Sequence, residues 1–347
     1  LMNYYQTPTS VGVWETFVTL GVIYFIFMLG GAFGYRLPPP GWLPAGYAPP
    51  ANSHRLMTTR HVHVNEAIRT PQFWLLWGVL CLNVSAGIGV IGMASPMLQE
   101  VFGGKLIGVP VALGALAEVE RARVATIAAA FAGLLSLFNI AGRIFWASLS
   151  DRIGRKTTYM VFFLLGIALY VSAPLAGEAG RVALFVTIFC VILTMYGGGF
   201  ATVPAYLADL FGTQHVGAIH GRLLTAWSVA GIVGPVVVNY IREFQLARGV
   251  PPDEAYDITM YILAAMLLGG LICNLLIRPV ADRHFMTAEA LAVERGRAHE
   301  QASASAGTWS MPTTARPALL MAAWTAIAIP LGWGVWITVS KSLALFQ

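Results

Sequence analysis

Charged side chains are scarce in this chain: they make up 11% of its 347 residues, whereas 57% of the residues are hydrophobic. A soluble domain of this length could not cover so much apolar surface with so few charges, so the composition predicts an all-α membrane protein. Cysteine is scarce too. Cys81, Cys190 and Cys273 lie far apart inside apolar runs, which excludes a disulfide framework and a cysteine zinc site. The net charge of +5 is spread over many loops, which excludes a nucleic-acid-binding face.

Apolar runs long enough to cross a hydrocarbon core of about 30 Å recur along the sequence. They lie near 13–34, 73–95, 124–148, 157–177, 182–207, 223–241, 257–277 and 317–339. The run 106–117 is too short to span, so we predict a loop or a segment at the membrane surface. Lysine and arginine concentrate in alternate connecting segments, above all 36–72, 150–156 and 278–316. This bias predicts that those segments are cytoplasmic.

The spans predict five parts. Residues 1–35 hold one transmembrane helix, 36–72 a proline-rich cytoplasmic linker, 73–280 a six-helix bundle, 281–316 a polar cytoplasmic tail, and 317–347 a further transmembrane helix. The tail contains a short helix capped by Thr287, followed by a flexible "ASASAG" stretch. Pro330 and two nearby glycines leave a re-entrant or surface helix open for the last run. A start at Leu1 and a single span before a long linker lead us to expect the second half of a longer transporter.

Arg143 lies inside an apolar run, where a charge costs about 2.5–3.5 kcal/mol on insertion scales. On a helix it shares a small, polar face with Ser136 and Asn139. The residues expected on the opposite, lipid-facing side are Phe131, Leu134, Phe138 and Phe145. This position allows three interpretations. Arg143 binds substrate or forms a gate, or its side chain snorkels to the membrane interface, or it pairs with an acid elsewhere in the protein. No acid lies in the middle of a span in this sequence, which favours the first interpretation.

Two further patterns bear on how the helices move. In "SDRIGRK", 150–156, Gly154 permits a tight turn, and Asp151 lies among cations that either anchor helix ends or form a gate. The glycines of "YGGGFATVPAYLADLFG", 196–212, like those of "GIVGP" and "GIGVIG", predict close helix packing or an unwound segment that lines a cavity.

The segment "HVHVNE", 61–66, together with His54, has residue types that bind metals. It lies in a polar linker without cysteine or a second cluster, which favours a solvated loop. We therefore expect no metal and no cofactor. The sequence also has no nucleophile elbow or phosphate loop, so we expect no enzymatic activity.

The motif "SDRIGRK" between two apolar runs resembles a loop motif of the major facilitator superfamily, in the copy that occurs in the second half of those proteins. That motif usually has a glycine where this sequence has Ala147. The longer stretches "NIAGRIFWASLSDRIGRK", "YGGGFATVPAYLADLFG" and "GAIHGRLLTAWSVAGIVGP" resemble the oxalate/formate antiporter family within it. The resemblance implies that 13–34 is the sixth helix and that 73–277 hold helices seven to twelve. The run 317–339 resembles an additional C-terminal helix of some members.

The resemblance also implies a substrate site. In that family an arginine of the eighth helix and a lysine of the eleventh help to bind the oxalate dianion. Arg143 matches the arginine, but 223–241 contains Trp227 and no lysine. One cation balances one carboxylate, so we expect a monocarboxylate such as formate, pyruvate or lactate, with oxalate/formate exchange still open. The residues expected to line the cavity beside Arg143 are Asn139, Asn83, Tyr196 and Trp227.

The expected function is alternating-access transport of small organic anions across the bacterial plasma membrane. Its partners would be the carboxylate, the lipid bilayer and the missing N-terminal half. The residues expected to form the gate are Asp151, Arg152, Gly154, Arg155 and Lys156. The alternative is a transport-inactive membrane sensor or receptor whose polar tail carries the signal.

Overall fold

The computed structural model describes residues 2–34, 58–305 and 317–346, which fall into two compact units, Leu1–Asn52 and Ser53–Gln347. The predictions for His54, for the prolines of 37–50 and for 306–316 lie outside the described residues. The first unit contains α1 (Met2–Tyr5) and α2 (Val13–Gly34). The side chains of α2 are apolar around the whole helix and mostly exposed within the unit, as in a helix that lies in lipid.

The second unit is also helical. Its α-helices are α3 (Val64–Ala67), α4 (Pro71–Phe102), α5 (Glu118–Ile153), α6 (Arg155–Glu178), α7 (Val182–Phe211), α8 (Val216–Leu223), α9 (Thr225–Ala247), α10 (Asp257–Leu276), α11 (Ala288–Ser305) and α12 (Pro317–Ser342). Short 3-10 turns cover Gly103–Ile107, Leu113–Ala115, Asp282–His284 and Leu343–Leu345. The described ranges contain no strand and seven helical segments that are long and apolar enough to cross a membrane. The predicted all-α membrane fold is confirmed.

Helices α4, α5, α6, α7, α9 and α10 pack into one bundle, with α4 and α7 the most deeply buried. Three consecutive glycines let α7 approach two neighbours closely. A Cβ at Gly197 would meet the backbone of Asn139, one at Gly198 the ring of Trp146, and one at Gly199 the amide of Asn83. Since α7 is a continuous helix through these residues, the glycines provide close packing here and not an unwound segment.

One expectation about α5 is wrong in part: Phe138 and Phe145 are exposed, as a lipid-facing stripe requires, but the other two residues of that stripe are buried. Phe131 is fully buried and Leu134 is 7% exposed, so both residues pack in the core instead of facing lipid. The opposite face, which carries Ser136 and Arg143, is exposed in this chain. Hydropathy does not separate the two environments, because lipid tails and a helix-bundle core are equally apolar.

The segments outside the bundle follow the predictions in part. Residues 106–117 form only short turns, as predicted. Thr287 caps α11 by accepting a hydrogen bond from Ala290 N at 3.3 Å, which confirms the tail helix. That helix continues through Ser305, so the first part of "ASASAG" is helical and not a flexible stretch.

The last predicted helix is present as α12, which packs against α5. Thr338 lies at Gly133, and Ser342 Oγ donates to Ala130 O at 3.2 Å. The contacted residues of α5 descend in number as those of α12 rise, so the two helices are antiparallel. We call the end of the bundle that holds residues 150–156 the basic end. Helix α12 therefore runs away from the basic end, and its crossing of the membrane stays a prediction.

Candidate functional site

Arg143 lies on the exposed face of α5, with its neighbour Gly142 packed against α7 on the other side. Its Nε is 3.4 Å from Asn139 Oδ1, one helical turn earlier, and its guanidinium carbon is 5.8 Å from the centre of the Phe200 ring. No carboxylate of the described residues forms an ion pair with it. The guanidinium therefore keeps most of its donors for a ligand.

Three aromatic side chains from α7 and α9 continue this surface. The ring centres of Tyr196 and Phe200 are 5.3 Å apart, and those of Phe200 and Trp227 are 5.2 Å apart, both edge to face. Tyr196 is 7% exposed and Trp227 is 45% exposed, so the row passes from the core to the surface. We call Arg143, Asn139, Tyr196, Phe200 and Trp227 the Arg143 cluster. Sequence reasoning missed Phe200, whose only signal is its position one turn after Tyr196.

The structure does not place Asn83 on the exposed surface of the Arg143 cluster. Asn83 is 6% exposed and lies inside the bundle, where it lines a cavity of about 10 Å³ together with Tyr196. Its Nδ2 is buried and has no hydrogen-bond partner in the described part of the chain. Asn83 therefore sits in the packing between α4 and α7, behind the surface on which Arg143 lies.

The residues of the predicted gate form a network at the basic end. Arg155 contacts Asp151 at 2.5 Å, donates to Ser150 Oγ at 2.8 Å and places Nε 3.9 Å from Asp209 Oδ2. Gly154 has φ of 86°, a conformation that favours glycine and makes the turn from α5 into α6. Arg155 thus ties the end of α5 to the end of α7 through Asp209, a carboxylate that sequence reasoning did not assign to the gate.

The other two predicted gate cations do not join this network. Lys156 Nζ donates to the carbonyls of Leu275 at 2.9 Å and Ile277 at 2.7 Å, so it caps the C-terminal end of α10. Arg152 is exposed and forms no ion pair within the described ranges.

We expect Arg155→Gln to destabilise the fold by roughly 2 kcal/mol, because the mostly buried carboxylate of Asp209 would lose the nearby positive charge of Arg155. The side chains of Arg155 and Asp209 are 14% and 11% exposed. The measurement is the thermal unfolding midpoint in detergent, with the exposed neighbour variant Arg152→Gln as the control. Equal midpoints for the two variants would show that the contact between Arg155 and Asp209 contributes nothing.

The histidines of 61–66 lie in a packed interface between the linker, the tail and α8, and not in a solvated loop. Val62 is fully buried and pairs with Phe285 of the tail. The carboxylate of Glu294 lies 2.7 Å from His215 Nε2 and 3.6 Å from His63 Nε2, so it links α11 to the linker and to α8. Burial, followed by the nearby charges of Arg295 and His215, lowers the pKa of His61. In the described residues no three metal-binding side chains converge on one point.

Comparison with known families decides the class of this fold. The sequence model of the Major Facilitator Superfamily matches residues 8–235 and 122–346. The chain belongs to the major facilitator superfamily. This confirms the family that the motif at 150–156 predicts.

Within the superfamily, the relatives of this chain include two proteins that are named for small organic anions. It is 27% identical over 223 residues to the oxalate:formate antiporter of Oxalobacter formigenes, covering 64% of this chain and 46% of that protein. It is 25% identical over 230 residues to the uncharacterised transporter YhjX of Escherichia coli strain K12, covering 65% and 49%. It is 29% identical over 166 residues to apicoplast pyruvate carrier 1 of Toxoplasma gondii, covering 46% and 26%. The chain thus spans about half the length of the first two relatives, or less.

Proposed function

We propose that this major facilitator superfamily chain is part of a secondary transporter of small organic anions, and that Arg143 holds the substrate carboxylate. The observation that carries the proposal is the exposed guanidinium of Arg143, beside Asn139 and over Phe200, with no carboxylate partner in the described residues. Relatives named as an oxalate:formate antiporter and a pyruvate carrier support the class of substrate.

The chemistry of the Arg143 cluster fits a small carboxylate. A planar guanidinium can donate two parallel hydrogen bonds to a carboxylate, which fixes both its charge and its orientation. The half-buried ring of Phe200 and the exposed ring of Trp227 offer an apolar wall for a short carbon skeleton. A cation with an apolar wall suits formate, lactate or pyruvate better than a larger or neutral solute.

A monocarboxylate is favoured over oxalate because this side of the site supplies one cation. The run of α9 that passes the cluster contains Trp227 and no lysine, so a second carboxylate would meet an indole ring. Desolvating an unpaired carboxylate is costly, which would weaken binding of a dianion. Exchange of oxalate for formate is the alternative if another part of the transporter supplies a second cation.

The proposal assigns α2 as the sixth helix and α4, α5, α6, α7, α9 and α10 as helices seven to twelve. The exposed face of the Arg143 cluster would meet the other half of the transporter, in the plasma membrane, with the basic end in the cytoplasm. The Asp151–Arg155–Asp209 network would hold the cytoplasmic ends of α5 and α7 together in one state and loosen in the other.

The test is uptake of labelled formate, lactate, pyruvate and oxalate by the full-length protein in proteoliposomes. We expect saturable monocarboxylate uptake, inhibited by unlabelled lactate but not by lactamide, which keeps the shape and lacks the charge. Uptake no faster than in protein-free liposomes for every anion would favour the sensor or receptor alternative.

A further inference from the structure

The basic end of the bundle contains a second feature, away from the Arg143 cluster. A cavity of about 670 Å³ opens between the start of α6 and the end of α10. Its polar wall includes Lys156, Thr157, Asn274 and Arg278, and its apolar wall includes Met160 and Leu275. Neither the proposed substrate site nor the gate network accounts for a cavity of this size.

The cations of this cavity exceed its anions. Arg155 and Asp209 also line it, but they face each other, and Arg155 contacts Asp151 as well. Lys156 bonds only to two carbonyls, and Arg278 forms no side-chain hydrogen bond or ion pair in the part of the chain that is described. Two positive charges therefore face the cavity without a carboxylate to neutralise them.

Two other features fit an anionic group at the same place. Helix α6 begins at the cavity, and its N-cap residue, Gly154, makes no side-chain cap, so its first N–H groups are available. The apolar wall continues along the outer faces of the two helices. Leu164 follows Met160 by one turn on α6, and Leu268, Ile272 and Leu275 follow one another on α10. These four leucine and isoleucine side chains are each 50–53% exposed.

We propose that this cavity binds the phosphodiester headgroup of an anionic phospholipid, whose acyl chains lie along the apolar faces of α6 and α10. Lys156 and Arg278 supply the positive charge, and the hydroxyl of Thr157 supplies a further donor. Basic pockets between helices at the cytoplasmic side of a membrane are a general means of binding anionic lipid headgroups. A free anion would match the cations but would leave the apolar wall without an occupant, whereas a lipid fits both walls.

The experiment is native mass spectrometry of the full-length protein in detergent, titrated with phosphatidylglycerol or with phosphatidylcholine of the same acyl chains. We expect phosphatidylglycerol to bind several-fold more tightly. Arg278→Gln should weaken phosphatidylglycerol binding about fivefold, which corresponds to roughly 1 kcal/mol for a basic residue near an anionic surface. Arg283→Gln, an exposed arginine at the same end but outside the cavity, is the matched control and should change binding less than twofold.

Three outcomes would overturn the proposal. The first is equal binding of the two lipids, since the cavity would then not discriminate between an anionic and a zwitterionic headgroup. The second is full displacement of phosphatidylglycerol by millimolar inorganic phosphate, which would make this a site for free anions. The third is an equal effect of Arg278→Gln and Arg283→Gln. Because the readout is lipid binding, failure here leaves the proposed transport of carboxylates untouched, and failed transport leaves this proposal untouched.

Discussion

Arg143→Ala is expected to lower uptake of a monocarboxylate by about 100-fold, because the substrate would lose two charge-assisted hydrogen bonds in a site that the other half of the transporter would shield from water. Arg143→Lys should lower uptake about tenfold, since an ammonium keeps the charge but not the planar pair of donors. The measurement is initial uptake by the full-length protein, normalised to the amount of protein in the membrane.

The matched control is Arg248→Ala. Arg248 is also an exposed arginine beside an aromatic ring, since its guanidinium carbon is 4.3 Å from the centre of the Phe244 ring. It lies at the end of the bundle opposite the basic end. We expect this variant to transport at nearly the wild-type rate. The comparison separates loss of a ligand for the substrate from a general effect of removing an exposed cation.

The alternatives to substrate binding predict other patterns. If Arg143 only snorkels to the interface, lysine reaches the same water and should restore nearly normal uptake. If Arg143 pairs with an acid elsewhere in the protein, Arg143→Ala should reduce the amount of protein in the membrane more than the uptake per molecule. Wild-type uptake by Arg143→Ala would end the binding hypothesis.

The membrane spans are the part of the fold that the sequence predicts best, because the length of an apolar run is set by the thickness of the membrane. Their ends are predicted less well. The run 73–95 belongs to α4, which extends from Pro71 to Phe102, and the run 124–148 belongs to α5, which begins at Glu118. A helix continues beyond the hydrocarbon core wherever its backbone bonds are satisfied, and the hydropathy pattern does not record this extension.

The candidate site is predicted only where polarity conflicts with its surroundings. Arg143 and Asn139 are conspicuous in an apolar run, and the structure brings them together. Phe200 gives no such signal, since an aromatic residue in an apolar run is ordinary. Asn83 gives the signal but lies in the core, because composition does not say which face of α4 packs inward. The packed interface around Val62 is not predicted from the sequence for another reason. The partners of Val62, Phe285 and Phe211, come from distant parts of the chain.

Gly142→Ala is expected to destabilise the fold by roughly 3 kcal/mol, at the upper end of the usual cost of overpacking. A Cβ at Gly142 would lie 2.1 Å from Thr194 O and 2.5 Å from Thr194 Cα. Both are backbone atoms, so no side-chain rotation can relieve the contact, and α5 must move away from α7. The measurement is the thermal unfolding midpoint in detergent, together with the fraction of protein that stays monodisperse.

Gly269→Ala on α10 is the matched control for Gly142→Ala. The nearest atom to a Cβ there is Leu82 Cδ1 at 3.3 Å, the end of a flexible side chain that can shift by a few tenths of an ångström. Replacing a helical glycine by alanine also gains up to about 1 kcal/mol in helix propensity, so this variant should unfold at or slightly above the wild-type temperature. Helix α5 carries Arg143 directly after Gly142, so movement of α5 should also weaken substrate uptake. If Gly142→Ala unfolds at the same temperature as Gly269→Ala, the close contact between α5 and α7 is not required for the fold.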